Sequence, residues 1–225
     1  HLLARLYQDK GGQHVVSTID KMQQERTEII LNRWNAEFAQ NGIKSIAAVI
    51  FDVKKNEVLS YCGNVDFESS VSGNQVDIVQ APRSTGSILK PFLYCAMLQD
   101  GQLLPNQLLP DIPLNLGGFT PKNFSLQYDG AVPASEALAR SLNIPFVVAL
   151  RQYNVQKFHN LLKKGGMTTL NRPSNVYGLS LVLGGGEGKL WDISYMYLQM
   201  VQQLNMFNEE GRYYEWLLKP SDAAD

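Results

Sequence analysis

Cysteine is scarce in this chain: 225 residues carry only Cys62 and Cys95. Two isolated thiols make neither a metal knuckle nor a redox pair. The apolar neighbourhood of Cys95 predicts a buried free thiol there. Histidine is almost as scarce, with three copies. His1 is terminal, His14 falls in a predicted strand and His159 on a predicted helix, and none sits beside a motif. A serine nucleophile in this chain would therefore find a better base in lysine than in histidine. No metal and no cofactor is expected. Charge of one sign is also missing. Twenty Lys and Arg are set against twenty-one Asp and Glu, for a net charge of −1. The basic residues are scattered, which excludes a nucleic-acid footprint. No apolar run reaches the ~18 residues of a membrane span. Residues 1–10 lack the charged and apolar regions of a signal peptide and read as the cut end of something longer.

What remains is ordinary globular material, 44% hydrophobic and 18% charged, enough for one large domain or two small ones. Residues 14–19 are β-rich and predict a strand. Asp20 is a good helix cap, and Met22, Ile30, Trp34 and Phe38 then recur at helical spacing until Asn41-Gly42, which predicts an amphipathic helix of about five turns. Residues 43–53 and 58–62 predict a hairpin turning at Lys54–Glu57, its first strand apolar enough to be central in a sheet. Residues 64–83 read as a polar loop. Residues 101–130 hold Pro105, Pro110, Pro113 and Pro121, a density no long helix survives, and so long a loop in a compact domain suggests a groove wall. Shorter helices are predicted at 133–140, opening on proline, at 144–153, at 155–164 with Asn154 as cap and Gly165-Gly166 as stop, and at 190–204. The Gly184-Gly185-Gly186 run lacks the lysine and hydroxyl of a phosphate loop and predicts a tight turn. Strands early and helices later make an α+β pattern.

Two short motifs carry chemistry. Ser87-Ile88-Leu89-Lys90 is the only Ser-x-x-Lys in the sequence. Gly86 supplies a turn before it, and Ile88, Leu89, Phe92, Leu93, Ala96 and Met97 follow at helical spacing. Pro91 places the pair near a helix start, because proline is tolerated mainly in a first turn. Ser87 and Lys90, three apart, then share a face with free backbone N–H groups around them. A hydroxyl beside an amine in that setting suits a nucleophile and its base. Ser141-Leu142-Asn143 is the second motif, 54 positions later, in a break between two predicted helices. A hydroxyl there suits proton relay, and an Asn amide suits holding a carbonyl or an active-site lysine. The other Ser-x-Asn, Ser72-Gly73-Asn74, sits in the polar loop and reads as turn chemistry.

The motifs occur in one order: Arg-Ser-Thr-Gly-Ser-Ile-Leu-Lys-Pro-Phe at 83–92, Tyr-Asp-Gly at 128–130, Ala-Leu-Ala-Arg-Ser-Leu-Asn-Ile-Pro at 137–145 and Gly-Leu-Ser-Leu-Val-Leu-Gly-Gly at 178–185. Together with Val16–Asp20 and the hairpin, this resembles the transpeptidase domain of class A penicillin-binding proteins, most nearly their 1C-like members. The resemblance runs over residues 14–204. It implies the α+β penicillin-binding/β-lactamase-like transpeptidase fold, with mixed helices packed on an antiparallel sheet, and a D,D-transpeptidase that crosslinks peptidoglycan stem peptides and is acylated by β-lactams. Under that resemblance Ser87 matches the acylated nucleophile and Lys90 its base, a pairing whose base is disputed in part of the superfamily. Ser141 and Asn143 match the pair lining the cleft, Ser141 catalytic and Asn143 substrate-binding. A parent protein with a glycosyltransferase domain and a membrane anchor is implied, working at the periplasmic or extracytoplasmic face of the inner membrane. Residues 1–13 then read as the end of a linker, and 14–225 as the transpeptidase domain.

One part of the family pattern is missing. No Lys-Thr/Ser-Gly follows the second motif; Lys164-Gly165-Gly166 lacks the hydroxyl and fits a helix cap. The chain stops at Asp225, 82 residues after Asn143. The expectation is a domain truncated before its last sheet strands, although a remainder supplied by another chain, or a piece unable to turn over substrate, fits as well. Two further readings stand beside the enzyme: a catalytically incomplete penicillin-binding or peptide-sensing module of the same fold, and a groove for a protein partner in which Ser-x-x-Lys is incidental.

Overall fold

The computed structural model describes residues 16–65 and 75–211. The chain divides into two compact units, one made of residues 1–82 and 189–225, the other of residues 83–188.

In the first unit Asp20 caps α1 (Lys21–Ala39), its carboxylate accepting the Gln23 N–H at 2.7 Å. The helix stops where expected. Gly42 takes φ +76°, and the Ile43 N–H returns to the Phe38 carbonyl at 3.2 Å. Strands β1 (Ala48–Asp52) and β2 (Glu57–Cys62) form the predicted hairpin. Asp52 closes its turn by accepting the Lys54 and Lys55 N–H groups at 2.9 and 3.0 Å. Among the described residues β1 pairs with β2 alone. The strand expected at 14–19 does not form over residues 16–19; His14 lies outside the described residues. That segment makes isolated bonds instead, from the Thr18 hydroxyl to the Val58 carbonyl at 2.7 Å and from the Asp20 N–H to the Leu59 carbonyl at 3.0 Å, before Asp20 turns it into α1.

The apolar stripe of α1 does not become a core face. Met22 is 66% and Ile30 54% exposed, and Thr27 is the helix's one buried residue. Trp34 and Phe38 stack on each other at 5.3 Å between ring centroids. What ties α1 to β2 is Gln24: its amide oxygen accepts from the Tyr61 N–H at 2.9 Å and the Ser60 hydroxyl at 3.0 Å. The last helix, α7 in chain order (Leu190–Glu210), runs six residues past its predicted end and stops at Gly211, φ +67°. It packs Trp191 near Phe51 and Tyr61, and Gln202 donates to the Val53 carbonyl at 2.9 Å.

The second unit holds β3 (Arg83–Ser84), α2 (Lys90–Gln99), β4 (Leu108–Asp111), β5 (Gly130–Pro133), α3 (Ala134–Ala139), α4 (Asn143–Tyr153), α5 (Val155–Lys164), α6 (Ser174–Tyr177), a 3-10 turn (Gly178–Leu183) and β6 (Glu187–Gly188). Strand β3 pairs antiparallel with β6, and β4 with β5. Pro133 precedes α3 as its cap rather than opening it. Asn154 caps α5, accepting from the Gln156 and Lys157 N–H groups at 2.8 and 3.3 Å. The proline-rich stretch 101–130 carries no helix, as expected, but it supplies strand β4. The core is continuous through the unit: Leu89, Leu93, Met97, Ile144, Val147, Leu150, Phe158 and Leu162 are fully buried. Cys95 is exposed, against expectation. The stripe at 89, 93, 96 and 97 takes the core side of α2, and 95 falls outside it. The buried thiol is Cys62. His159 is buried, its ring 5.6 Å from Tyr177. Mixed helices with small antiparallel sheets make this an α+β protein.

Candidate active site

The first motif is held by a close approach of two backbones. Strand β3 pairs Arg83 with Gly188 and Ser84 with Glu187. The Ser84 hydroxyl donates to the Gly184 carbonyl at 2.9 Å, and the Thr85 N–H to the Gly186 carbonyl at 3.3 Å. A Cβ placed on Gly184 would lie 2.6 Å from the Gly86 nitrogen and from the Ser84 Oγ. Only glycine fits there. The glycine run is therefore more than the tight turn expected of it, since it clamps the segment that leads into Ser87. Its signal in the sequence is the number of consecutive glycines, which one turn does not need.

Ser87 sits in a turn just ahead of α2 rather than inside it. Its carbonyl accepts the Lys90 N–H at 3.1 Å, and regular helix begins at Lys90 with Pro91 in the first turn. Leu89 and Leu93 anchor the turn in the core. Ser87 is half-buried, whereas Lys90 is 1% exposed.

The second motif is built on a helix end. The Ser141 and Leu142 N–H groups return to the Leu138 and Ala137 carbonyls, both at 2.9 Å. This paired pattern closes a helix on a left-handed residue, usually glycine. Here the left-handed residue is Ser141, φ +52°. A side chain at that φ costs about 1–2 kcal/mol, and such strain gathers at functional positions. Ser141 is exposed and Asn143 is half-buried.

Lys90 joins the motifs. Its Nζ donates to the Ser141 carbonyl at 2.7 Å, to the Asn143 Oδ1 at 2.8 Å and to the Ser141 Oγ at 3.3 Å. Asn143 is oriented for this by its own Nδ2, which donates to the Lys122 carbonyl at 2.8 Å. The Phe146 ring lies 5.7 Å from the amine. Burial lowers the Lys90 amine from its ordinary value of 10.5 to about 8. All three of its acceptors are neutral groups, so no carboxylate among them restores the charge. The structure thus brings Lys90, Ser141 and Asn143 into direct contact and sets Ser87 in the turn immediately before Lys90. Ser72 and Asn74 lie outside the described residues. A separate open cavity of about 790 Å³, lined by residues including Arg151, Asn154, Gln156 and Ser174, contains none of the four.

The family model for the penicillin binding protein transpeptidase domain matches residues 46–219, so the chain belongs to that family. It is 32% identical over 208 residues to penicillin-binding protein 1C of Escherichia coli, covering 92% of this chain and 26% of that protein. It is 31% identical over 170 residues to penicillin-binding protein 1F of Bacillus subtilis, covering 75% of this chain and 22% of that one. The chain thus spans about a quarter of the length of these relatives. Among solved structures, PonA1 of Mycobacterium tuberculosis in complex with penicillin V superposes with a TM-score of 0.68 at 21% identity, over 87% of this chain and 53% of that one. The transpeptidase domain of penicillin-binding protein 3 from Burkholderia pseudomallei gives 0.70 at 20% identity, over 83% and 58%. These two likenesses support the fold expected from the motifs.

Proposed function

We propose that this chain carries the acylating centre of a peptidoglycan D,D-transpeptidase, with Ser87 as nucleophile and Lys90 as its base. The observation that carries the reading is a buried amine, lowered to about 8, bonded to both members of the Ser141–Asn143 motif. A lysine of ordinary pKa is protonated near neutrality and accepts nothing. Burial leaves a useful neutral fraction.

The hydrogen bonds suggest how the proton moves. An ammonium has three donors and no acceptor, and Lys90 has three bonds to give. When the amine is neutral, one bond must reverse to satisfy its lone pair. Of the three acceptors only the Ser141 hydroxyl is able to donate. In this reading the Ser141 hydroxyl turns off the amine as substrate enters, and the freed lone pair of Lys90 takes the Ser87 proton as Oγ bonds to the substrate carbonyl carbon. Ser141 then gives its proton to the departing amine as the bond from that amine to the carbon breaks, and takes one back from the Lys90 ammonium. The acyl group stays on Ser87 until an acceptor amine displaces it. The Ser87 N–H supplies half of an oxyanion hole, where one donor is worth about 10²–10³ in rate. Asn143 holds Lys90 through its amide oxygen and Lys122 through one amide hydrogen, which leaves its second amide hydrogen for the substrate.

The substrates under this reading are peptidoglycan stem peptides, with β-lactams as acylating analogues. The chain would work at the extracytoplasmic face of the bacterial inner membrane. Its parent would carry a glycosyltransferase domain and a membrane anchor. Residues 14–225 would be the transpeptidase part and residues 1–13 the end of a linker. Intact-mass spectrometry after penicillin treatment tests the centre. One adduct, mapped to Ser87 and lost in Ser87→Ala, is expected. An adduct elsewhere, or none on folded protein that also contains a Lys-Thr/Ser-Gly motif, overturns the assignment.

A further inference from the structure

Helix α4 begins without a cap of its own. Leu142 stands at the cap position and has no acceptor side chain. The acceptor comes from 20 residues upstream: the Asn123 Oδ1 takes the Asn143 N–H at 2.9 Å and the Ile144 N–H at 3.3 Å. Asn123 is 2% exposed, and both donors of its amide are used, on the Asp111 Oδ1 at 2.7 Å and the Gln127 carbonyl at 3.0 Å. Its orientation is therefore fixed. Asp111, at the end of β4, is 1% exposed; its other oxygen accepts the Asp129 N–H at 3.0 Å. A carboxyl group this buried needs partners for its oxygens, and both oxygens of Asp111 have one.

The same segment also grips the Asn143 side chain. Lys122, next to Asn123, accepts the Asn143 Nδ2. Residues 122 and 123 thus fix both the backbone and the side chain of Asn143, whose remaining oxygen meets Lys90. We propose that Asp111 and Asn123 are positioning residues: by capping α4 from a distance, they aim the Ser141–Asn143 motif at Lys90. The two residues touch no reacting atom, and their effect passes through Asn143. The inference rests on the reading of Ser87 and Lys90 as the acylating pair.

The test compares wild type, Asn123→Ala, Asp111→Asn, Ser87→Ala and the exchange Asp111→Asn/Asn123→Asp. In the exchange an amide at 111 donates to a carboxylate at 123, which still caps α4 but no longer donates to the Gln127 carbonyl, so recovery is partial. Two readouts are taken on folded protein. Saturation kinetics with a fluorescent penicillin give the limiting acylation rate and the half-saturating concentration. Carbon-13 NMR of chains labelled at the lysine ε-carbon follows the Lys90 titration. Asn123→Ala should lower the limiting rate about tenfold or more, the equivalent of a lost cap, and leave half-saturation within about threefold. Its Lys90 should titrate higher, toward an ordinary lysine, as the pocket opens to water. Asp111→Asn should shift both readouts the same way, and the exchange should recover part of each. If Asn123→Ala does not fold, Asp111→Asn carries the comparison. Wild-type rates and wild-type Lys90 titration in folded variants overturn the proposal while Ser87→Ala still upholds the acylation reading. If wild type is not acylated at Ser87, that reading falls, and the Lys90 titration alone decides whether Asp111 and Asn123 position the motif.

Discussion

The two units treat their apolar residues differently. In the unit of residues 83–188, the predicted stripes meet one another: Leu89, Leu93 and Met97 of the first motif's turn and helix, Ile144 and Leu150 of α4, and Phe158 and Leu162 of α5 are all fully buried. In the other unit α1 is patterned almost as well, yet Met22, Ile29 and Ile30 are more than half exposed. Its attachment to β2 runs through the polar Gln24. Helical periodicity therefore shows that a helix has two faces, but not which neighbour covers the apolar one. The four motif residues all belong to the unit whose core closes on itself. A site that must hold a lysine within hydrogen-bond tolerance needs rotamers locked by packing, and that unit supplies them.

Truncations make the difference quantitative. Leu93→Ala removes a fully buried side chain under the Ser87 turn and should cost about 2–5 kcal/mol in urea unfolding. Ile30→Ala, on the open face of α1, should stay within about 0.5 kcal/mol. Equal losses at the two sites would break the contrast.

Lys90 is the exception inside the closed core, and pH exposes it. Its amine sits at about 8 when folded, against an ordinary 10.5. Between those values Lys90 binds more proton in the unfolded chain than in the folded one, so its contribution to stability rises with pH across that window. The shift corresponds to at most about 3 kcal/mol. Lys90→Met, close in volume, should lose this rise and be the more stable chain below pH 8. Denaturation of both proteins at pH 7.5 and pH 10 checks it. Burial also raises the Cys62, Cys95 and Tyr153 groups, which act in the opposite sense in both chains, so the difference between the two proteins is the readout: a change with pH in wild type no more positive than in Lys90→Met would contradict a buried amine.

A smaller effect sharpens the point about strain. Ser141 occupies a left-handed position that favours glycine. Ser141→Gly relieves that strain but gains chain entropy when unfolded, so stability should move by less than about 1 kcal/mol. Penicillin labelling should nevertheless slow, because the hydroxyl that turns toward Lys90 is gone. Calorimetry and a labelling time course on one preparation separate the two.

Much of this was legible in the residues. Asp20, Asn154 and the glycines at 42 and 165–166 mark helix ends through local capping, which is a property of a few adjacent residues. The Ser-x-x-Lys and Ser-x-Asn motifs stand out because they occur in one order, together with their flanking residues. Long-range features were less visible. Gly184 read as a turn because nothing local says that Gly86 lies against it. Nothing local in the stretch 101–130 says that its Asn123, held by Asp111, reaches the first turn of α4. Cys95 was misplaced by its apolar neighbours, which occupy a different face of α2. In each case the missing information was which distant segment lies opposite.

The proposed centre stands on Lys90, lowered by burial to about 8, serving as the base for Ser87. The rate of Ser87 acylation by penicillin, measured from pH 6 to pH 10, tests it most directly. A rise with a midpoint near 8 is expected, with a rate lower by about 10²–10⁴ in Lys90→Met. A pH-independent rate, or a Lys90→Met chain that labels Ser87 as fast as wild type, would contradict it.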